Sequence, residues 1–198
     1  MKKLTILVAE LSVQMSLELV IGPMFAGKST EAVKRIRALE AANVPCCSIT
    51  SRFDRRYDSR GESICTHSGD CVSALGLTDL VGILDHDVFQ KATYVIIEEA
   101  QFFRDLYQVV MMMVETYGKK VLVFGLDGDS ERKPFGQVLD LIPKADMYTK
   151  LTAICRKCTE VTPAVFTKKR GGGEGQICIG GEGIYMAVCR KHYLETLA

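Results

Sequence analysis

Short apolar runs, bounded by polar or turn-forming residues, recur through the first three quarters of the chain. Runs of this length predict buried strands of a sheet that is covered on both faces, because such strands have no solvent face to alternate with. The predicted strands are residues 17–21, 46–50, 94–97 and 121–126, with a fifth at 148–153.

Apolar residues at three- and four-residue steps predict helices between these strands. One helix has its apolar face on residues 32–39, another runs from residue 106 to a stop at Gly118, and a weaker helical stretch is predicted at 75–84. Residues 51–72 are polar and predict a long loop. Alternating strands and helices predict an α/β fold, with a parallel sheet whose ligands gather at the carboxyl ends of the strands.

Composition divides the chain into three predicted parts. Residues 1–16 carry no motif and form an N-terminal extension, residues 17–150 form the α/β domain, and residues 151–198, rich in Cys, Gly and basic residues, form a second small unit. The 198 residues are 47% hydrophobic, which suffices for one core and a small appendage.

Charge and cysteine usage narrow the class of function. The formal net charge of +1 offers no broad basic field, which favours small-molecule chemistry over a nucleic-acid partner. No apolar run approaches the ~20 residues of a transmembrane helix, so no membrane partner is predicted. The four cysteines of the first half lack paired spacing, which predicts free thiols in a reducing cytoplasm.

The segment GPMFAGKS at residues 22–29 matches G-x-x-x-x-G-K-[ST] between a predicted strand and a predicted helix. Gly22 and Gly27 let backbone N–H groups face phosphate oxygens, and the helix N-terminus adds partial positive charge. Lys28 is predicted to neutralise β- and γ-phosphate oxygens, and Ser29 to ligate Mg²⁺. The alternative is an ordinary glycine-rich turn, which the strand and helix around it argue against.

Glu98 and Glu99 directly follow the predicted strand at 94–97. A P-loop site needs a carboxylate at the end of a neighbouring strand to hold Mg²⁺ directly or through water. Adjacent residues of a strand project to opposite sides, so one carboxylate can face the metal while the other accepts a proton from an attacking hydroxyl. Two solvated strand-end charges are the alternative.

Four metal-ligand residues occur as two close pairs in the C-terminal part. Cys155-x-x-Cys158 and Cys189-x-x-His192 have the spacing of a closed structural Zn²⁺ site. The metal would then pin the base of the loop at 159–188. A disulfide, or free thiols beside a surface histidine, are the alternatives.

Together these motifs resemble the type II thymidine kinases, the cytosolic, zinc-containing family. Besides GPMFAGKST, the chain carries EEAQFF, LDGDSERKPFG, YTKLTAICRKC, FTKK, IGGEGIY and CRKH in that order over roughly residues 17–195. The resemblance implies a RecA-like P-loop NTPase sheet and a zinc-binding subdomain whose lasso-like loop covers the substrate. It also implies transfer of the γ-phosphate of ATP to the 5′-hydroxyl of thymidine, by a homotetramer inhibited by dTTP.

The resemblance assigns roles to individual residues of this chain. It implies that Glu99 is the general base, with Lys28 and Arg56 as the other catalytic residues, and that Mg²⁺ is held by Ser29, Glu98 and Asp54. The implied ATP-binding residues are Gly22, Pro23, Met24, Phe25, Ala26, Gly27, Lys28, Ser29, Thr30, Glu98 and Gln101. The implied substrate-binding residues are Met24, Phe102, Leu126, Phe135, Thr167, Gln176, Ile177, Cys178, Ile179, Gly180 and Tyr185.

The chain departs from the family pattern at three positions. Glu98 stands where the family has Asp, Ala100 where it has Gly, and Ser130 where it often has an aromatic residue. The longer acid favours a water-mediated metal contact. Loss of one stacking face at Ser130 predicts thymidine binding weaker by ~1 kcal/mol, or acceptance of deoxyuridine.

Two other classes of function remain open on the sequence. A nucleic-acid-dependent P-loop ATPase with a zinc ribbon is supported by the basic run Lys168, Lys169 and Arg170. Near-zero net charge and the shortage of aromatic residues among the basic ones count against it. A regulatory protein that only senses nucleotide would make Glu99 dispensable.

Overall fold

The structure, a computed structural model, describes residues 15–53, 61–170 and 183–195. Its elements in chain order are β1 (Ser16–Ile21), α1 (Lys28–Ala41), β2 (Cys46–Ser51), β3 (Ser63–Cys65), β4 (Cys71–Ser73), β5 (Leu75–Leu77), α2 (Asp87–Lys91), β6 (Tyr94–Ile97), α3 (Leu106–Met111), β7 (Lys120–Gly125), β8 (Met147–Lys150), β9 (Ala153–Ile154), β10 (Pro163–Ala164), β11 (Phe166–Lys169), β12 (Tyr185–Val188) and α4 (Arg190–Leu194). Short 3-10 turns lie at Val81–Ile83, Ala100–Phe102 and Leu139–Lys144, and a π-helical turn at Met112–Thr116 continues α3.

The central sheet has its strands in the order β5-β2-β6-β7-β1-β8, and every pairing in it is parallel. One face carries α1 and the β3–β4 hairpin, whose Ile36 and Ile64 share an apolar cluster with Phe124. The other face carries α2 and α3, whose Phe89 and Val110 share a second cluster with the strands. The predicted α/β sheet with helices on both faces is confirmed.

After β8 the chain forms a small C-terminal unit of two antiparallel pairs, β9–β10 and β11–β12, closed by α4. Its apolar cluster contains small residues such as Ala164 and Ala187, and Phe25 and Ala26 from the turn after β1 pack against it. The C-terminal unit is therefore attached to the turn that carries the predicted phosphate-binding residues.

Three local predictions were wrong. The predicted loop at 51–72 contains the β3–β4 hairpin, and the predicted helical stretch at 75–84 is strand β5 followed by a 3-10 turn. These strands of three residues are too short for apolar spacing to distinguish them from loop or helix. The predicted strand at 148–153 ends at Lys150, and Ala153 belongs to β9, which pairs with β10 instead.

Cys65 and Cys71 form a disulfide across the β3–β4 hairpin, so the prediction of free thiols in the first half of the chain was wrong for this pair. The two residues are direct partners in the antiparallel register. Their separation of 6 residues in sequence brings them together only once the hairpin forms. Cys46 and Cys47 carry the free thiols that were predicted.

Some predictions fall outside the described residues: residues 1–14 of the extension, Asp54, Arg56, and Gln176 to Gly180 of the lasso-like loop. The predicted boundary at residue 151 falls between β8 and β9 and stays a prediction. Within the described ranges, no helix is both long and apolar enough to cross a bilayer.

Candidate active site

The turn between β1 and α1 winds tightly because two of its residues take left-handed backbone conformations. The angle φ is 65° at Phe25 and 83° at Gly27, and α1 begins directly afterwards. The first N–H groups of this 14-residue helix have no intrahelical partners, which suits them to bind an anion. The Lys28 ammonium folds over the turn and donates to the carbonyl oxygens of Gly22 (3.2 Å) and Pro23 (2.8 Å). The positive charge of Lys28 and the N-terminus of α1 thus lie at one turn.

Ser29 and Glu98 come together although they lie on different elements. The Ser29 hydroxyl, in the first turn of α1, donates to Glu98 Oε1 at 2.6 Å, and Glu98 is buried at the end of β6. Adjacent hydroxyl and carboxylate oxygens are the ligands that Mg²⁺ prefers. The structure therefore brings together two of the three residues predicted for magnesium, and the third, Asp54, lies outside the described residues.

Glu99 turns away from Glu98 because its backbone is left-handed, with φ 52° and ψ 39°. This conformation is unfavourable for a residue other than glycine by about 1 kcal/mol. The Glu99 carboxylate accepts a hydrogen bond from the Gln101 side-chain amide, whose oxygen accepts from the Leu126 N–H at 3.0 Å. Glu99 is 8% exposed. The side chains of Glu98 and Glu99 therefore form hydrogen bonds with different residues.

An aromatic wall lies beside these carboxylates. The rings of Phe102 and Phe135 meet edge to face with centroids 5.6 Å apart, and the Phe53 ring centroid lies 6.3 Å from that of Phe102. Edge-to-face pairs of this kind are favourable by about 0.5–1.5 kcal/mol beyond the apolar area they bury. Two residues predicted for substrate binding thus form one surface, and Phe53 extends it.

The β11–β12 pair brings further predicted substrate residues to the turn after β1. The buried Thr167 hydroxyl accepts a hydrogen bond from the Met24 N–H at 2.9 Å. Thr167 pairs with Ala187, so Tyr185, two residues earlier on β12, lies on the same face of the hairpin. The backbone of the predicted phosphate loop is therefore fixed directly to the C-terminal unit.

The four predicted zinc ligands converge at the base of that unit. His192 Nδ1 lies 3.5, 3.3 and 3.4 Å from the Sγ atoms of Cys155, Cys158 and Cys189, and the last two sulfurs are 3.9 Å apart. With Zn–S near 2.3 Å and Zn–N near 2.0 Å, a tetrahedral site has edges of about 3.5–3.8 Å. These four side chains can hold a metal ion, and their spacing fits Zn²⁺.

The surroundings of Cys155 favour the thiolate form that binds a metal ion, whereas the pKa of the Cys158 thiol is raised by the neighbouring Cys155 and Cys189 thiols. Burial opposes ionisation of the Cys155 thiol, but backbone N–H groups of Cys189 and Lys157 and the His192 side chain outweigh it, and the pKa of Cys155 falls to about 6. His192 Nε2 lies 3.8 Å from the Glu195 carboxylate, so the ring nitrogen away from the cluster has an acidic neighbour.

A family model described as "Thymidine kinase" matches residues 15–193. The chain belongs to the thymidine kinase family. The enzyme is 39% identical over 180 residues to the thymidine kinase of Variola virus, which covers 91% of this chain and 97% of that relative. It is 40% identical over 184 residues to thymidine kinase a of Arabidopsis thaliana, which covers 91% of this chain and 76% of the relative. The thymidine kinase of Raccoon poxvirus is 40% identical over 179 residues, covering 90% and 97%. The predicted family and enzyme class are confirmed.

The sequence did not reveal two structural roles in this thymidine kinase. Gln101, predicted only as ATP-binding, bridges Glu99 and the backbone of Leu126. Lys168, part of the basic run that supported nucleic-acid binding, is 9% exposed and donates to the carbonyls of His192 (3.0 Å) and Tyr193 (2.9 Å) at the end of α4. The Gln101 bond to Leu126 spans 25 residues and the Lys168 bonds span 24 and 25, so only the folded chain shows these contacts.

Proposed function

We propose that this thymidine kinase transfers the γ-phosphate of ATP to the 5′-hydroxyl of thymidine, giving dTMP. One observation carries the proposal: the two consecutive carboxylates after β6 diverge, Glu98 toward Ser29 and Glu99 toward Gln101. A phosphotransferase needs one acidic group on the nucleotide side and another on the acceptor side. This dipeptide supplies both.

On the nucleotide side, Lys28 exchanges its two carbonyl partners for phosphate oxygens when ATP binds the turn after β1. Ser29 and Glu98 would hold Mg²⁺, which offsets phosphate charge when bound. We assign Asp54 to the same metal and Arg56 to the charge on the transferring group. The remaining residues proposed for ATP are Gly22, Pro23, Met24, Phe25, Ala26, Gly27, Thr30 and Gln101.

On the acceptor side, Glu99 accepts the proton of the 5′-hydroxyl as that oxygen bonds to the γ-phosphorus and the bond to the β-phosphate oxygen breaks. Gln101 keeps the carboxylate oriented through its hydrogen bond. A positioned carboxylate base typically contributes ~10²–10⁴-fold to the rate. The rest of the catalysis comes from orientation and from charge neutralisation at the phosphates.

The thymine ring is proposed to lie against Phe102 and Phe135, with its edge read by the loop at 176–180. Their edge-to-face contact provides a fixed apolar face, and the Thr167 contact to Met24 joins that pocket to the phosphate-binding turn. Ser130 contributes no ring face, so we expect weak discrimination between thymidine and deoxyuridine. The other residues proposed for the acceptor are Met24, Leu126, Thr167 and Tyr185.

The finer biological assignments are also proposals. We propose structural Zn²⁺ at the cysteine and histidine cluster, a cytoplasmic homotetramer, and inhibition by dTTP. Inhibition by dTTP is supported by the direct bond between β11 and the phosphate-binding turn, because a nucleotide carrying thymine can occupy the acceptor pocket while its phosphates reach toward Lys28.

The test is to incubate purified protein with Mg-ATP and thymidine, deoxyuridine or deoxycytidine, and to separate the products by chromatography. We expect dTMP and ADP in equal amounts, with deoxyuridine as the next best acceptor. Absence of any nucleoside monophosphate, together with ATP hydrolysis stimulated by single-stranded DNA, would replace the kinase proposal with the nucleic-acid-dependent ATPase.

A further inference from the structure

The loop that carries Phe135, residues 127–135, has several hydrogen bonds within itself. Asp129 N–H donates to the Lys133 carbonyl at 2.9 Å, and Asp129 Oδ1 accepts from the N–H groups of Glu131 (2.8 Å) and Lys133 (2.9 Å). Asp129 is 7% exposed. We call this segment the Asp129 loop. Because the Asp129 hydrogen bonds hold residues 129–133 together, a contact at the tip of the loop can move Phe135 at its end.

The tip of the Asp129 loop is held by the C-terminal unit. The Tyr193 hydroxyl donates to the Ser130 carbonyl at 2.8 Å. The Arg132 guanidinium lies 4.4 Å from the Tyr193 ring centroid and 5.5 Å from that of Phe166. Those two rings are themselves 5.2 Å apart. Tyr193 directly follows His192, so the contact connects the loop to the residues that can hold metal.

The backbone conformation at Arg132 is one that is unfavourable for any residue with a side chain. Its φ of 65° is left-handed, a conformation that glycine adopts far more easily. What glycine lacks is the guanidinium group that contacts the two rings of the C-terminal unit. The position therefore combines an unfavourable backbone with a favourable cation–π contact.

The other end of the Asp129 loop is pinned next to the proposed base. Gly136 follows Phe135 with φ 58°, and a Cβ at this position would overlap the backbone carbonyl of Gln101. The side chain of Gln101 holds Glu99. Phe135 is thus placed by two fixed points, one beside Glu99 and one on the C-terminal unit.

From this geometry we infer that Arg132 and Tyr193 are positioning residues for the acceptor nucleoside. Together they form a latch that holds the Asp129 loop on the C-terminal unit and so sets where Phe135 stands. The inference rests on the proposed role of Phe135 as a wall of the thymine pocket. Because the latch touches neither Lys28 nor Ser29, it governs the KM for thymidine and not the KM for ATP.

The variants that test the latch are Tyr193→Phe, which removes only the hydroxyl, and Arg132→Gly, which removes the guanidinium and relieves the backbone. Lys133→Gln is the matched control, because the exposed Lys133 side chain pairs with Glu131 in the same loop. We expect the KM for thymidine to rise about 3–10-fold in both latch variants, because each variant loses one hydrogen bond or one cation–π contact of ordinary strength. We expect kcat, the KM for ATP, metal content and Tm to stay near those of the starting enzyme, and the control to change nothing.

Hydrogen exchange supplies a readout that does not depend on turnover. Amides in peptides covering 127–136 should exchange faster in Tyr193→Phe and Arg132→Gly, but not in Lys133→Gln. Unchanged exchange in the latch variants would overturn the inference, and so would faster exchange with an unchanged KM for thymidine. A KM that rises only in step with lost metal or a lowered Tm would also overturn it, since that is general damage to the C-terminal unit. If the unsubstituted protein has no nucleoside kinase activity, the proposed function is wrong. The hydrogen-exchange rates of the 127–136 peptides would still show whether the latch exists.

Discussion

Glu99 combines a left-handed backbone, near-complete burial and a hydrogen bond from Gln101. Replacing it with glutamine keeps the size and polarity of the side chain but removes its ability to accept a proton. We predict that Glu99→Gln lowers kcat by ~10²–10⁴-fold, the usual contribution of a positioned base. Steady-state assays would measure the loss, and titration with a fluorescent ATP analogue should show an unchanged Kd.

The matched control for this prediction is Glu115→Gln, which removes an exposed carboxylate from the π-helical turn after α3 and should leave kcat unchanged. Near-normal turnover of Glu99→Gln would remove Glu99 as the base. A loss of ATP affinity equal to the loss of kcat would place it on the nucleotide side instead.

Gly136 offers a second prediction for a single residue. Its φ of 58° and the nearness of the Gln101 backbone leave no space for a methyl group. We predict that Gly136→Ala lowers the free energy of unfolding by about 1–3 kcal/mol, because the new Cβ forces backbone strain and a local shift. Urea denaturation would measure it. Gly82→Ala, where a Cβ meets nothing within 4 Å, is the control. Equal stability of the two variants would contradict the close approach at Gly136.

Whether the sequence could predict a helix or strand depended on the length of that element and its position in the fold. The strands of the sheet interior were predicted because continuous apolar runs such as residues 17–21 leave little choice of structure. The β3–β4 hairpin was missed because each strand has three residues and contributes one apolar side chain to the core, Ile64 or Val72. A helix was predicted in place of edge strand β5 because the leucines in and after this strand also have the three- and four-residue spacing of a helix.

The disulfide in the β3–β4 hairpin carries a prediction for that element. Cys65–Cys71 closes a loop of few residues, so the chain-entropy model gives it only about 2 kcal/mol of stability. We predict that a reductant lowers the free energy of unfolding by that amount in the unsubstituted protein but has no effect on Cys71→Ser. Urea denaturation with and without reductant would compare them. Rapid alkylation of the exposed Cys71 in protein purified without reductant would contradict the disulfide.

Across the whole molecule, the candidate site is assembled from contacts between distant parts of the chain. The turn after β1 and the four residues that can hold a metal ion were identified as candidates because the chemistry proposed for them requires a fixed local spacing. The bond from Met24 to Thr167 and the bond from Tyr193 to Ser130 span 143 and 63 residues and have no spacing that a motif could reveal. Those bonds join the parts that the motifs identify.

Metal removal tests this connection across the whole molecule. Cys155 and Cys189 belong to an apolar cluster against which Phe25 and Ala26 of the turn after β1 pack, and Thr167 of β11 bonds to Met24. Loss of the metal should therefore disturb the binding sites of both substrates.

We predict that Cys158→Ser, or treatment with a zinc chelator, lowers Tm by ~4–8 °C, as a loss of about 2 kcal/mol does in a protein of this size. The KM values for ATP and thymidine should both rise. Calorimetry and metal analysis would follow the change, with Cys46→Ser as a control that removes a thiol outside the cluster. If the metal is fully removed and the Tm and both KM values do not change, the prediction is wrong. The C-terminal unit and the turn after β1 would then keep their structure without the metal.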